Sequence, residues 1–101
     1  MEKRWIAVGA TDSFPEGVHL TKASNRPIVV ARLDGELYAF SKSCPHVGGN
    51  MERCEVVGTI ISCPFHAWRF DLKNSGSEIH GYEALRVFAV RENDGEIFVA
   101  L

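Results

Sequence analysis

Residues 41–72 of the chain read SKSCPHVGGNMERCEVVGTIISCPFHAWRFDL, and this stretch contains two short loops of similar composition. The first loop has Cys44 and His46 on either side of a proline, and the second has Cys63 and His66 three positions apart. A β-branched run between the loops predicts a strand, which brings the second loop back beside the first. The stretch therefore offers two thiolates and two imidazoles to one site.

Several chemistries use such paired Cys and His residues, and the residues alone leave them open. A structural zinc site would use all four ligands, but the single residue between Cys44 and His46 is tight for two ligands on one small ion. A catalytic Cys–His pair would explain one loop and leave the second unexplained. An iron–sulfur cluster with two irons removes the spacing problem, because each iron takes two ligands. Two matched loops are hard to obtain by chance, which disfavours a purely structural role.

Short strands separated by turn residues surround these loops. Asp34-Gly35 and Asp94-Gly95 predict hairpin turns, because both residue types tolerate positive φ. No window of a dozen residues has the apolar spacing of a helix. The pattern predicts an all-β fold, a small antiparallel sandwich or barrel into which the two loops are inserted as a subdomain. The predicted strands are residues 18–22, 28–33, 37–40, 56–62, 68–72, 85–91 and 97–101.

Length and composition predict one small domain over residues 1–101. The chain has 11 Lys and Arg residues and 13 Asp and Glu residues, which gives a net charge of −2. This charge does not indicate nucleic-acid binding, which would require a basic surface. Its apolar runs are shorter than the roughly 18 residues of a membrane span, and the start of the chain lacks the apolar stretch of a secretory signal. We therefore expect a cytoplasmic protein with neither nucleic acid nor membrane as a partner.

The two loops resemble the cluster-binding loops of Rieske [2Fe–2S] proteins. The resemblance rests on Cys-Pro-His-x-Gly-Gly at 44–49, on Cys-Pro-Phe-His at 63–66, and on Arg-Phe-Asp-Leu at 69–72 followed by Gly76. It covers most of the chain and gives a cluster-binding region at about residues 41–72. It implies a Rieske-like fold with one [2Fe–2S] cluster held by two Cys and two His residues.

The resemblance also implies a role for each ligand. Cys44 and Cys63 would bind the inner iron, and His46 and His66 would bind the outer iron near the surface. With neutral imidazoles, the oxidised cluster and its two thiolates carry no net charge, which makes electron gain easier than in a four-cysteine cluster. Cys54 stands where relatives often have Gly, and it is predicted to be a free, partly buried thiol and not a ligand.

The length of the chain is similar to that of the Rieske-type ferredoxins that serve bacterial ring-hydroxylating oxygenases. This resemblance implies that the protein is a one-electron carrier and not itself an enzyme. The carrier would take electrons from a flavin-containing ferredoxin reductase and pass them to a terminal oxygenase or other redox enzyme. We expect it to be a monomer when free. The alternative is a non-catalytic Rieske small subunit of a larger oxidoreductase, such as a nitrite-reductase-like complex. An oxygenase in its own right would need a mononuclear iron site and a further domain, for which the chain is too short.

Overall fold

Strands dominate the part of the chain that the computed structural model describes, which is residues 4–43, 50–63, 68–74, 77–78 and 85–101. The helical elements within these ranges are three short 3₁₀ turns. None of the helices in the described ranges is long and apolar enough to cross a membrane. The prediction of an all-β fold is confirmed. The 3₁₀ turns are Thr11–Ser13, Met51–Arg53 and Leu72–Asn74.

The described strands form three antiparallel sheets. The strands are β1 (Trp5–Ala10), β2 (Gly17–Ala23), β3 (Arg26–Leu33), β4 (Glu36–Ser41), β5 (Glu55–Val57), β6 (Ile60–Ser62), β7 (Arg69–Asp71), β8 (Ser77–Glu78), β9 (Val87–Phe88), β10 (Val90–Asn93) and β11 (Glu96–Ala100). The outer sheet has the order β1-β11-β10, and the central sheet has the order β2-β3-β4-β9. The inserted sheet, β5-β6-β7-β8, lies in the sequence between β4 and β9 of the central sheet.

Strand β3 is buried on both faces. Ile28, Val29, Val30 and Ala31 are each 0% exposed. Side chains of a strand point alternately to opposite faces of the sheet. Ile28 and Val30 accordingly belong to one apolar cluster, and Val29 and Ala31 belong to another. The central sheet is therefore the middle layer of the molecule.

Each face of β3 has its own partner. The sandwich core joins the central sheet to the outer sheet, and the loop core joins the central sheet to the inserted sheet. This arrangement matches the predicted sandwich with an inserted subdomain. The sandwich core consists of Phe14, Ala23, Ile28, Val30, Ala39, Ile97 and Val99. The loop core consists of Val29, Ala31, Leu33, Phe40, Met51, Ile61, Cys63, Phe70, Leu72 and Leu85.

The predicted hairpin turns at Asp34-Gly35 and Asp94-Gly95 are both confirmed. Their φ angles are 54° and 81° at the first turn and 50° and 78° at the second. Positive φ at both central residues is the signature of a type I′ turn, whose twist matches that of the flanking strands. A third turn of this kind, at Ser24-Asn25 with φ angles of 52° and 66°, joins β2 to β3.

Two predicted strands are wrong in detail. The run at residues 56–62 is not one strand but the β5–β6 hairpin, because Gly58 takes a φ of 63° and reverses the chain. The run at 85–91 divides at Ala89, where the chain leaves the central sheet and enters the outer sheet. The carbonyl of Ala89 accepts a hydrogen bond from the N–H of Ala100 at 2.9 Å, which holds this crossing point against β11.

Strand β1 is not among the strands predicted from the sequence. Its residues Trp5–Ala10 pair with β11, and the register shifts between Ala7 and Gly9 as in a β-bulge. The exposed and half-buried positions of β1 do not alternate regularly, because the bulge interrupts the two-residue period on which such a prediction rests.

Removing a side chain from the sandwich core is expected to destabilise the fold. Ile97→Ala removes apolar atoms from a residue that is 0% exposed, and it should lower the free energy of unfolding by about 2–5 kcal/mol. The matched control is Val57→Ala, because Val57 is 77% exposed and should change the same quantity by less than about 0.5 kcal/mol. Urea unfolding followed by circular dichroism measures both. Equal shifts in the two variants would contradict the assignment of this core.

Candidate metal centre

The second predicted cluster loop begins at a buried cysteine. Cys63 follows β6 directly and is 3% exposed, as part of the loop core. Its backbone N–H donates a hydrogen bond to the carbonyl of Trp68 at 2.8 Å. This bond closes the loop, so the chain leaves and returns at one place on the inserted sheet. His66 lies inside the loop and outside the described residues.

The first predicted loop is also closed at its base. Ser43 and Asn50 form an isolated antiparallel bridge, and the N–H of Met51 donates to the carbonyl of Lys42 at 2.7 Å. The Oδ1 atom of Asn50 accepts a hydrogen bond from the N–H of Glu52 at 3.0 Å, which caps the following 3₁₀ turn. Cys44 and His46 lie between these closing residues and outside the described residues.

The two loop bases rest on the same apolar cluster. Met51 follows the first loop base and is 0% exposed, and Cys63 precedes the second loop. Both residues belong to the loop core together with Phe70. The structure therefore brings the bases of the two loops together on one buried support, as the sequence prediction requires.

Cys63 is the one predicted ligand that falls within the described residues. Those residues contain no group of three or more His, Cys, Asp or Glu side chains that would hold a metal ion, and Cys44, His46 and His66 lie outside them. The donor chemistry fits a [2Fe–2S] cluster, because two thiolates and two imidazoles are the ligand set of a Rieske centre. The burial of Cys63 also fits, since it supplies a sulfur donor from the protein interior.

Cys54 is a half-buried thiol packed against the loop core. Burial raises its pKa to about 11 from the ordinary 9.0, and the neighbouring Cys63 contributes to the increase. The thiol is thus neutral at physiological pH. The prediction of a partly buried thiol is confirmed, and its exclusion from the ligand set stays a prediction.

Aromatic side chains pack in the loop core next to the base of the second loop. Phe70 is 0% exposed, and Trp68 is half-buried against the loop core. The two rings lie edge to face, with centroids 6.4 Å apart. The next residue, Asp71, accepts hydrogen bonds from the N–H of Lys73 at 3.0 Å and from the hydroxyl of Thr59 at 3.4 Å. Phe70 therefore packs the core, and Asp71 fixes the turn that follows β7.

The residues that close the first loop are not among those predicted from the sequence. Ser43, Asn50 and Met51 have this role in the structure. The available signal was Asn50 at the start of Met-Glu-Arg, because Asn is a favoured N-cap residue. Nothing in the local sequence indicates the backbone bond between Lys42 and Met51, which depends on where the chain returns after the loop.

A family model for the Rieske [2Fe–2S] domain matches residues 4–89 of the chain. The chain belongs to the Rieske [2Fe–2S] family. This membership confirms the predicted family and its cofactor, one Rieske-type [2Fe–2S] cluster.

Oxygenase components and ferredoxin components are both among the proteins that this chain resembles. The chain is 38% identical over 69 residues to the oxygenase component of a 3-ketosteroid-9-alpha-monooxygenase from Rhodococcus rhodochrous. The aligned region is 66% of this chain and 18% of that protein. It spans only 18–26% of the length of such oxygenase relatives. The chain is also 34% identical over 73 residues to the ferredoxin component of naphthalene 1,2-dioxygenase/salicylate 5-hydroxylase systems from Ralstonia sp. Here the aligned region is 71% of this chain and 70% of that protein.

A solved structure shows the same fold along nearly its whole length. It is a chain in the complex of reduced oxygenase and oxidized ferredoxin of carbazole 1,9a-dioxygenase. The match has a TM-score of 0.79 and 27% identity, and it covers 95% of this chain and 92% of that chain. This similarity extends the family assignment from the sequence to the arrangement of the sheets.

The raised pKa of Cys54 predicts slow alkylation of this thiol. At pH 8 a pKa of about 11 leaves about 0.1% thiolate, against about 9% for a thiol with a pKa of 9.0. Iodoacetamide should therefore modify Cys54 about 100-fold more slowly than an exposed cysteine, with a rate that rises about tenfold per pH unit up to pH 11. Mass spectrometry of the folded holoprotein measures the rate, and urea-unfolded protein is the control. Fast modification of folded protein at pH 8 would show that the thiol is not buried.

Proposed function

We propose that the chain is a one-electron carrier, not itself an enzyme, whose cluster is held by Cys44, His46, Cys63 and His66. The observation that carries the ligand assignment is the shared support of the two loops. Each predicted loop is closed at its base by backbone hydrogen bonds, and both bases rest on one apolar core. A [2Fe–2S] cluster would supply the reversible uptake of one electron at this place.

The described residues around Cys63 serve the site in two ways. Cys63 and the fully buried Met51 and Phe70 exclude water from the side of the site that faces the core. The closing bonds at Ser43–Asn50 and Cys63–Trp68 limit how far the two ends of each loop can separate. Both features favour a carrier, because a site that is held in place changes little when the electron arrives or leaves.

The partners that we propose are a flavin-containing ferredoxin reductase as the donor and a terminal oxygenase or other redox enzyme as the acceptor. The similarity to a ferredoxin component, which extends over 70% of that protein, supports this assignment. The proposal places the protein in the cytoplasm, as a monomer when it is not in contact with a partner. A purified chain that elutes as a monomer and is reduced repeatedly by catalytic amounts of reductase would support the proposal.

A second candidate is a fixed part of a larger oxidoreductase. The 38% identity to an oxygenase component favours it, because the matching region is 18% of that larger protein. In this case, as in a nitrite-reductase-like complex with a Rieske small subunit, the electron would pass to another centre of the same assembly. Tight co-purification with a second chain and no turnover as a free protein would support this candidate over the dissociable carrier.

Replacement of the proposed ligands is expected to remove the cluster, while replacement of Cys54 should keep it. Cys63→Ser and His66→Ala should each lose the visible absorption of the wild-type protein and most of its iron. Cys54→Ala is the matched control, because it removes a thiol that packs against the same core and should retain two irons per chain.

The measurements are iron and zinc analysis, the visible spectrum, and low-temperature EPR before and after dithionite. A protein that is EPR-silent when oxidised and gives a rhombic signal with low average g on reduction would support the proposed carrier. A colourless protein with one zinc per chain would overturn it. Loss of the cluster in Cys54→Ala would overturn the proposed ligand set.

A further inference from the structure

A basic groove of about 470 Å³ lies beside the base of the first cluster loop. Its cations are Arg26 at the start of β3, Lys42 just after β4, and Arg86 just before β9. Ser43 and Asn50 also line it, and these are the residues that close the first loop. The groove is therefore lined by four separate segments of the chain, three of which supply its cations, and it adjoins the base of the first loop.

The three cations of the groove lack acidic partners among the described residues. The described residues that line the groove include no Asp or Glu. In the same part of the chain, the ion pair that occurs joins Arg32 to Glu92, and it includes none of the groove cations. The whole chain has a net charge of −2. Three cations that share one groove and have no acidic partner among the described residues therefore make this part of the surface locally positive.

Hydrogen bonds hold the walls of the groove together. The N–H of Ser41 donates to the carbonyl of Arg86 at 2.8 Å, and the N–H of Met51 donates to the carbonyl of Lys42 at 2.7 Å. The guanidinium of Arg86 lies over the ring of Phe88, 5.5 Å from its centroid. This cation–π contact restrains the side chain without neutralising its charge. Backbone hydrogen bonds thus fix Lys42 at the loop base and Arg86 to the end of β4 beside it.

We propose that the basic groove binds a carboxylate-rich segment of a protein redox partner and so docks that partner beside the first cluster loop. The proposal rests on the proposed function for the identity of the partner. Charge complementarity carries it: three cations without described counterions would be matched by several carboxylates on one surface. A groove of this volume, with cations from three chain segments, suits a run of acidic side chains better than one small anion.

Electrostatic docking of this kind suits a carrier that must bind and leave quickly. Complementary charges raise the rate of encounter and fix the orientation of the partner, while contributing only modestly to the affinity. A redox contact of small area can then dissociate after one electron has passed. The position of the groove puts the docking contact at the base of the loop that carries the proposed ligands Cys44 and His46.

The first test measures binding of a fluorescein-labelled hexaglutamate peptide to the holoprotein by fluorescence anisotropy, at about 0.1 M salt, where screening confines charge effects to about 10 Å. Arg26→Gln and Arg86→Gln should each weaken binding about twofold to fivefold. Arg86→Lys keeps the charge and should restore most of the affinity. Arg4→Gln is the matched control, because Arg4 is exposed, precedes β1 and does not line the groove.

The outcomes of this test are independent of the test for the carrier. Binding that falls in the two groove variants and not in Arg4→Gln supports the groove, even if iron analysis and EPR overturn the proposed carrier. Equal losses in all three variants, or no peptide binding, would overturn the groove and leave the carrier untouched. Inorganic phosphate that binds as tightly as the peptide and displaces it would make the groove a small-anion site and overturn the docking proposal.

Discussion

The burial of β3 on both faces is the constraint on which the rest of the structure depends. Four consecutive residues, Ile28 to Ala31, are completely buried, so both sheets that flank the central sheet are required. The outer sheet covers one face of the strand and the inserted sheet covers the other. Without the inserted sheet, Val29 and Ala31 would be exposed to water, and burial of such side chains is a main source of folding free energy. The loops that carry the proposed ligands therefore belong to a segment that the fold itself needs.

This constraint explains why the loop bases are held firmly in so small a chain. Met51 and Cys63 lie in the same apolar core as Val29, so the two loop bases and the central strand share one support. Backbone hydrogen bonds then close each loop at its base. The loop core thus supports the proposed cluster site. The separate sandwich core, with Ile97 and Val99, stabilises the opposite side of the central sheet.

The fold class, two hairpin turns and the family could be predicted from the sequence because each depends on local signals. Asp34-Gly35 specifies its turn through residues that accept positive φ, and the Cys–His loops carry their ligand chemistry in their spacing. The split at Ala89 could not be predicted, because it depends on which sheet each half of the run pairs with. The basic groove could not be predicted for the same reason. Arg26 and Arg86 are far apart in the sequence, and only the folded chain brings them to the same groove.

The division into two cores also explains how one domain serves relatives of different kinds. Similar sequences occur in an oxygenase component, where they are 18% of the protein, and in a ferredoxin component, where they are 70%. The support of the cluster loops is internal to the domain, because the described residues of the loop core come from the central and inserted sheets and from the short segments that connect their strands. The surface residues that contact a partner can then differ between relatives without disturbing the loops. Differences in function within the family are therefore expected in surface features, such as the charges beside Ser43 and Asn50, and not in the buried support.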